Sequence, residues 1–182
     1  KQSRGATNMR REFTIVPPDL RLVVLLPAIS LLAALIGLGF AAREKPQVWL
    51  FAIPIALAVV LIAWSVQRRR VALDGDLLAI AAGFNSARVR VADLDLAAAR
   101  IADLADAPTL RPLLKTFGTA MPGYSAGHFR LRDRSRGFLL LTDRRKVLVL
   151  PERGGRTLLL SLERPQALLD ALKDVAEPRS QR

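Results

Sequence analysis

The sequence predicts a protein of the α+β class, mainly β, in which a helical hairpin precedes a domain of about seven short strands and one C-terminal helix. Two observations carry this prediction. Residues 22–42 and 48–66 are apolar runs without a charged side chain. From residue 71 the apolar spacing changes from helical to alternating, and turn residues divide the chain into short segments. The expected organisation is an N-terminal segment (1–19), a hairpin (20–70) and a β domain (71–182).

The two apolar runs predict a transmembrane hairpin. They hold 21 and 19 residues, and roughly 20 apolar residues cross the hydrocarbon core as a helix. Lipid offers the backbone no partner, which favours helices for both runs. Ser30 is the one strongly polar residue well inside either run, which is typical of an anchor rather than a transporter. A cleaved signal peptide is the alternative, but its apolar core is usually shorter.

Basic residues flank the two runs more densely than they occupy the segment between them. Arg10, Arg11 and Arg21 lie near the first run and Arg68, Arg69 and Arg70 directly follow the second. The connection carries only Arg43 and Lys45, with Glu44 between them. This bias predicts a bacterial inner (plasma) membrane protein whose N-terminus and C-terminal domain are cytoplasmic. The expected membrane-interface anchors are Trp49, Trp64, Arg68, Arg69 and Arg70.

Composition excludes several classes of site. The formal net charge is +12, and there is no cysteine, hence no disulfide framework or thiolate chemistry. His128 is the single histidine, which excludes a histidine cluster within one chain. No loop has the carboxylate density that calcium requires, so neither metal nor cofactor is expected. Tyr124 is the single tyrosine, and without an aromatic stacking platform nucleic acid is not an expected partner.

The β domain is predicted element by element from its alternation and its turns. The expected strands are residues 77–82, 87–91, 96–101, 128–132, 137–142, 146–151 and 156–161. The close spacing of the last four predicts an antiparallel meander. Residues 110–116 are predicted as one or two helical turns. A C-terminal helix is expected over residues 165–175, because Leu168, Leu169 and Leu172 share one face.

A glycine- and proline-rich segment at residues 117–127 separates the two halves of the β domain. Gly118, the run Met121-Pro122-Gly123-Tyr124, Gly127 and Phe129 together resemble the central signature of a bacterial family of pleckstrin-homology-like (PH-like) membrane proteins. The resemblance covers roughly residues 70–180 and implies a strongly bent antiparallel sheet or barrel capped by the C-terminal helix. It also implies two N-terminal spans, and it leaves the activity open because fold does not imply function.

Two candidate interaction sites follow from the motifs. The first is the candidate interaction loop Gly118, Pro122, Gly123, Tyr124 and Gly127. This loop lacks the Lys-Ser/Thr of a nucleotide-binding P-loop, which favours a turning role for its glycines. The second is a basic strand face suited to anionic headgroups, with an ordinary solvated face as the competing interpretation. Its residues are Arg88, Arg90, Arg130, Arg132 and Arg134.

Three functions remain for comparison with the structure. The favoured hypothesis is a non-enzymatic, membrane-anchored module that presents a PH-like domain for protein interaction or scaffolding. The alternative is recognition of anionic lipid headgroups through the basic face. The third is a hydrolase that uses His128, with Asp133 or Asp143 as the orienting group. The expected partners are the lipid bilayer, another membrane or cytoplasmic protein, anionic headgroups, or a second copy of the chain.

Overall fold

Alternating apolar and polar side chains build two β-sheets, which account for most of the described structure. A computed structural model describes residues 10–19, 21, 26–43 and 46–180. Its α-helices are α1 (Leu26–Ala42), α2 (Ala52–Gln67) and α3 (Pro165–Ser180). Its strands are β1 (Arg11–Phe13), β2 (Arg69–Asp74), β3 (Leu77–Ala82), β4 (Asn85–Arg90), β5 (Arg100–Ala102), β6 (Pro112–Met121), β7 (Tyr124–Leu131), β8 (Arg136–Leu141), β9 (Val147–Pro151) and β10 (Arg156–Ser161).

The ten described strands divide into a four-stranded and a six-stranded sheet, instead of one bent sheet or barrel of about seven strands. The smaller sheet has the order β1-β2-β3-β4, and the larger has the order β5-β9-β10-β8-β7-β6. β10 lies parallel to β8, with β9 on its far side. The predicted meander is therefore wrong. β8 and β10 are both central because they are rich in consecutive apolar residues, which is typical of strands buried on two faces.

The main core lies between the two sheets and under α3. Val71, Ile80 and Val89 of the smaller sheet belong to one buried cluster with Phe138 and Leu158 of the larger sheet. Leu168 and Leu172 of α3 join the same cluster, as the C-terminal helix prediction requires. A second cluster covers the opposite face of the larger sheet. Its buried members are Leu104, Leu110, Phe129, Leu131, Leu139, Leu141, Val147, Val149 and Leu159.

The N-terminal segment belongs to the β structure and joins the two sheets. β1 pairs with β2, with Phe13 opposite Val71. Two residues further on, Ile15 forms an antiparallel bridge with Leu162 beyond β10. The Thr142 hydroxyl donates a hydrogen bond of 2.6 Å to the carbonyl oxygen of Val16. The two apolar helices are therefore an excursion of the chain between two neighbouring strands.

The predicted transmembrane hairpin is wrong. Among the described residues, no helix combines the length and the apolar character needed to cross a membrane. At about 1.5 Å per residue, the 17 residues of α1 extend only about 26 Å, less than the roughly 30 Å of a hydrocarbon core. The second run is not one α-helix, because a 3₁₀ helix (Pro46–Phe51) precedes the 16 residues of α2.

The membrane interpretations built on that hairpin are corrected with it. They are the membrane and transmembrane descriptions and the inner-membrane location with cytoplasmic termini, all of which required two spanning helices. Residues 22–25 of the first predicted span lie outside the described residues, as do residues 1–9, Glu44 and Lys45. Many large apolar side chains of α1 and α2, such as Ile29, Phe40 and Ile53, are exposed.

Individual elements show where the sequence pattern was sufficient. The strands predicted at residues 77–82 and 156–161 are confirmed as β3 and β10. The C-terminal helix is confirmed and continues to Ser180. The helical turns predicted at residues 110–116 are wrong, since this segment opens the ten-residue strand β6. Pairing with β7 overrides its local propensity.

Candidate functional site

The glycine-rich segment is a β-hairpin rather than an open loop. β6 and β7 are joined through Pro122 and Gly123, where Gly123 has a φ of +75° that glycine adopts without steric cost. This is the proline-glycine pairing that a type II turn favours. Tyr124 follows with 1% of its surface exposed. A side chain so enclosed does not contact a partner directly.

Gly118 and Gly127 face each other across the β6–β7 ladder. Gly127 has a φ of +117°, and a Cβ there would lie 2.7 Å from the Gly118 Cα and 2.8 Å from the Asn85 Nδ2. Glycine is required at this position because β4, β6 and β7 approach too closely for a side chain. Both glycines serve the packing of strands, so the hairpin offers no phosphate-cradling loop.

The Tyr124 side chain ends at the junction between the sheets and α2. Its hydroxyl and the Ser65 hydroxyl both lie within 4 Å of the position that a Gly83 Cβ would occupy. Neither hydroxyl has a hydrogen-bond partner within the described part of the chain. Burial raises the pKa of Tyr124, and the positive charge of Arg69 opposes that rise. A neutral phenol is therefore the form that this environment favours.

Four of the five predicted membrane-interface anchors lie at the same junction or in β2. The Trp64 ring lies 5.8 Å from the Phe84 ring, and the Arg68 guanidinium lies 5.3 Å from the Trp64 ring centroid. Arg69 and Arg70 begin β2. Trp49 falls in the 3₁₀ helix before α2. Trp64 and Arg68 thus help to attach α2 to the turn between β3 and β4.

The structure does not gather the predicted basic residues on one face. Arg88 and Arg90 belong to β4 of the smaller sheet, whereas Arg130 belongs to β7 of the larger sheet. Arg132 and Arg134 lie in the turn after β7, where Arg134 adopts a left-handed φ of +67°. Alternation in the sequence identified exposed positions, but it did not reveal which strands are neighbours.

Strand pairing creates a different basic row, which sequence reasoning missed. Arg130 lies opposite Arg136 in the β7–β8 ladder, and Arg136 lies beside Arg156 in the parallel β8–β10 ladder. Arg156 contacts Glu152 through Nη2 at 2.7 Å and Nε at 2.8 Å. Arg136 is exposed and has no ion-pair partner among the described residues. Adjacent like charges repel each other, so an anion would stabilise this row.

β6 forms the free edge of the larger sheet in the part of the chain that the structure describes. Leu113, Leu114 and Phe117 on this strand are 62%, 63% and 66% exposed. A groove of about 370 Å³ runs beside them and includes Lys115 and Arg144 in its lining. We call this edge and its basic neighbours the β6 surface. It comprises Leu113, Leu114, Lys115, Phe117, Arg130, Arg136 and Arg144.

His128 borders the β6 surface without the geometry of a catalytic base. Its ring packs edge-on against Phe138 at 5.0 Å. Burial lowers the pKa of His128, and the nearby charge of Arg156 lowers it further. The predicted orienting groups are occupied elsewhere, since Asp133 and Asp143 each accept a backbone hydrogen bond within their own turns. Among the described residues, no group of three histidine, aspartate or glutamate side chains is arranged for a metal.

Comparisons with known proteins leave the family open. The sequence matches no protein-family model, and searches of curated proteins and of solved structures likewise give no match. The resemblance to the PH-like family, which rests on residues 118–129, therefore stays a prediction. The functional argument therefore rests on the geometry of the β6 surface and of the exposed arginines.

Proposed function

We propose that this protein is a non-enzymatic binding module that captures an extended segment of a partner protein along β6. The observation that carries the proposal is the exposure of three large apolar side chains on an edge strand. Leu113, Leu114 and Phe117 are each more than 60% exposed. Edge strands of folded proteins are usually protected from such exposure, because an apolar edge pairs readily with another chain.

The backbone of β6 supplies the first part of the interaction. An edge strand has N–H and C=O groups that point away from the sheet, and an added strand satisfies them by β-augmentation. β6 is ten residues long, which is long enough for a specific register. The ladder with β7 shifts between Pro112 and Leu114 and again between Lys115 and Phe117. These irregularities twist the strand and restrict the registers that a partner can adopt.

The two faces of β6 define the chemistry of the partner. On one face, Leu114 lies opposite Arg130 and Phe117 lies opposite His128. On the other face, Leu113 and Lys115 line the groove that also includes Arg144. Since a strand alternates its side chains between the two faces, both faces of an added strand meet apolar and basic groups. The complementary segment carries acidic and large apolar residues.

Charge favours a different protein over a second copy of this chain. The chain has a formal net charge of +12, and like charges at an interface oppose association. The described residues that line the groove beside β6 include Lys115 and Arg144 but no acid. An acidic partner therefore gains from every charge on this surface, whereas self-pairing would add to the repulsion.

The test uses a fluorescent ten-residue peptide that alternates glutamate with valine, and a matched peptide that alternates lysine with valine. We expect the glutamate peptide to bind the full chain, and Phe117→Ser to weaken binding about tenfold, as loss of a buried aromatic anchor does. Fluorescence anisotropy measures both affinities. Lys115→Glu weakens binding by a similar factor because it places an acid beside the acidic peptide.

Phe84→Ser is the matched control, since Phe84 is also exposed but lies in the turn between β3 and β4. It leaves the peptide affinity unchanged. The proposal is overturned if the glutamate peptide does not bind, if the lysine peptide binds equally well, or if Phe84→Ser and Phe117→Ser have equal effects.

A further inference from the structure

A second basic surface lies away from β6, on the outer face of the four-stranded sheet. A groove of about 510 Å³ there has arginines along its walls, and it carries no acid among the described residues that line it. We call it the alanine groove, because three alanines on neighbouring strands supply its small-residue floor. The floor residues are Ala72, Ala79 and Ala81, and the arginines are Arg10, Arg68, Arg69, Arg70 and Arg88.

Strand register separates two of these arginines by the alanine floor. Arg70 of β2 lies opposite Ala81 of β3, and Ala79 of β3 lies opposite Arg88 of β4. Two strand spacings combined with a two-residue offset place the Cα atoms of Arg70 and Arg88 about 12 Å apart. Because alanine projects only a methyl group, a flat or apolar body fits over the floor between the two guanidinium groups.

Two arginines at one end of the groove already contact a carboxylate of the chain itself. Glu12 Oε1 lies 3.5 Å from Arg10 Nε and 3.5 Å from Arg70 Nε. A single acidic oxygen thus sits between two guanidinium groups. At the other end, Arg88 is exposed and has no ion-pair partner within the described ranges. The groove therefore holds an excess of positive charge, with one end partly compensated and the other uncompensated.

We infer that the alanine groove binds a small molecule with two phosphate-type groups joined by an apolar or flat linker about 10 Å long. One anionic group contacts Arg88. The other competes with Glu12 for Arg10 and Arg70. Arginine suits this role because its planar guanidinium bonds two phosphate oxygens at once. This site is separate from the β6 surface, and the inference goes beyond the proposed peptide-binding function.

Isothermal titration of the full chain with 1,6-hexanediol bisphosphate, 1,2-ethanediol bisphosphate and orthophosphate tests the inference. We expect the hexanediol compound to bind about tenfold more tightly than either of the others, because it alone reaches both ends of the groove. Arg88→Gln abolishes this advantage and leaves the three affinities similar. Uncharged 1,6-hexanediol does not bind measurably.

Glu12→Gln provides the decisive variant, because the expected change is a gain. Removing this carboxylate frees Arg10 and Arg70 for the ligand, and we expect hexanediol bisphosphate to bind several-fold more tightly. A variant that merely damages the fold does not gain affinity. Arg100→Gln is the matched control, since it removes one exposed arginine from β5 of the other sheet, away from both the groove and the β6 surface. It leaves the affinity unchanged at constant ionic strength.

Three results would each overturn the inference. The first is equal affinity for the three phosphates, which would indicate nonspecific attraction to a basic protein. The second is an equal effect of Arg88→Gln and Arg100→Gln. The third is weaker binding by Glu12→Gln with its thermal unfolding temperature unchanged, because the carboxylate would then be part of the site rather than a competitor.

Discussion

The alanine groove and the β6 surface use the same cation in different surroundings. In the groove, Arg70 and Arg88 flank a floor of methyl groups on the face of a sheet. On the β6 surface, Arg130 lies opposite Leu114 at an edge whose backbone is unpaired among the described strands. We propose that arginine binds an anion in both places. The residues beside each arginine determine the rest of the ligand. The alanines of the groove suit a compact linker, whereas the leucines and phenylalanine of the β6 surface suit an extended apolar chain.

Charge compensation sharpens this contrast. Glu12 is shared between Arg10 and Arg70 at 3.5 Å, which is longer than a strong charge-assisted hydrogen bond. Glu152 holds Arg156 at 2.7 and 2.8 Å, with both side chains mostly buried. The first acid is a weakly held competitor that a ligand can displace. The second is a fixed part of the sheet, so the anion-binding capacity of the β6 surface depends on Arg130 and Arg136.

The largest expected effect on stability comes from a substitution that disrupts the β6 surface and leaves the alanine groove intact. Gly127→Ala places a Cβ against the backbone of β6 at a φ of +117°. We expect the free energy of unfolding to fall by about 3 kcal/mol, from backbone strain and steric overlap. Where the variant remains folded, peptide binding at β6 is lost, whereas bisphosphate binding persists. Chemical denaturation and the two binding assays measure these outcomes.

Gly154→Ala is the control for that prediction, because a Cβ at residue 154 meets no atom within 4 Å. We expect its stability to lie within about 0.5 kcal/mol of the parent. If Gly127→Ala were equally harmless, the close approach of β4, β6 and β7 would not be a real constraint.

An intermediate effect on stability is expected from weakening the attachment of the N-terminal segment. This change alters ligand binding in the alanine groove and not on the β6 surface. Thr142→Val removes the hydroxyl that bonds to the Val16 carbonyl oxygen. The partly buried carbonyl loses this partner, so the free energy of unfolding falls by about 1 kcal/mol. Because β1 carries Glu12 and follows Arg10, bisphosphate affinity changes while peptide affinity does not. Urea denaturation and titration calorimetry give the two readouts.

Thr157→Val tests whether any threonine-to-valine change has this consequence, since Thr157 lies within β10 of the larger sheet. The bisphosphate affinity of this control equals that of the parent. A Thr142→Val protein with unchanged stability and unchanged bisphosphate binding contradicts the prediction.

The smallest expected effect is a pH dependence confined to the β6 side. The pKa of His128 is lowered in the folded protein, first by burial and then by Arg156. The unfolded chain therefore binds the proton more readily, and stability falls as the pH drops below the unfolded value of about 6.5. His128→Gln removes this slope between pH 7 and pH 5, as thermal unfolding at several pH values measures.

An NMR titration of His128 distinguishes ligand binding on the β6 surface from binding in the alanine groove. Because the chain has one histidine, its ring signals need no further assignment. The acidic peptide raises the pKa of His128 by bringing carboxylates near it. The bisphosphate, bound on the other sheet, leaves that pKa unchanged. If the bisphosphate changed the pKa of His128 and the peptide did not, the two ligands would be assigned to the wrong surfaces.

Local pattern was sufficient for β3, β10 and α3, since each has a clear period and clear boundaries. It failed for the apolar runs because hydropathy counts apolar residues without showing where an α-helix begins. Residues 48–51 of the second run are as apolar as the α-helix that follows them, yet they belong to the 3₁₀ helix at Pro46–Phe51. Composition therefore overestimated the length of the second helix.

The candidate sites failed for a different reason, which is that they depend on neighbours distant in the sequence. Arg10, Arg70 and Arg88 line one groove because the strands have the order β1-β2-β3-β4. The row at Arg136 requires β8 and β10 to be parallel. No local period reveals either arrangement. The turn at Gly123 was predictable, because proline followed by glycine is a local preference.

The position of the two helices between β1 and β2 has a consequence for how the gene can change. Phe13 and Val71 are cross-strand partners, so the excursion departs from and returns to nearly the same point. The cost of closing such an excursion rises only with the logarithm of its length. The helical portion that precedes Trp64 can therefore change in length or sequence while the ladders on either side keep their register. Trp64 and Ser65 are constrained, because they lie against the turn between β3 and β4.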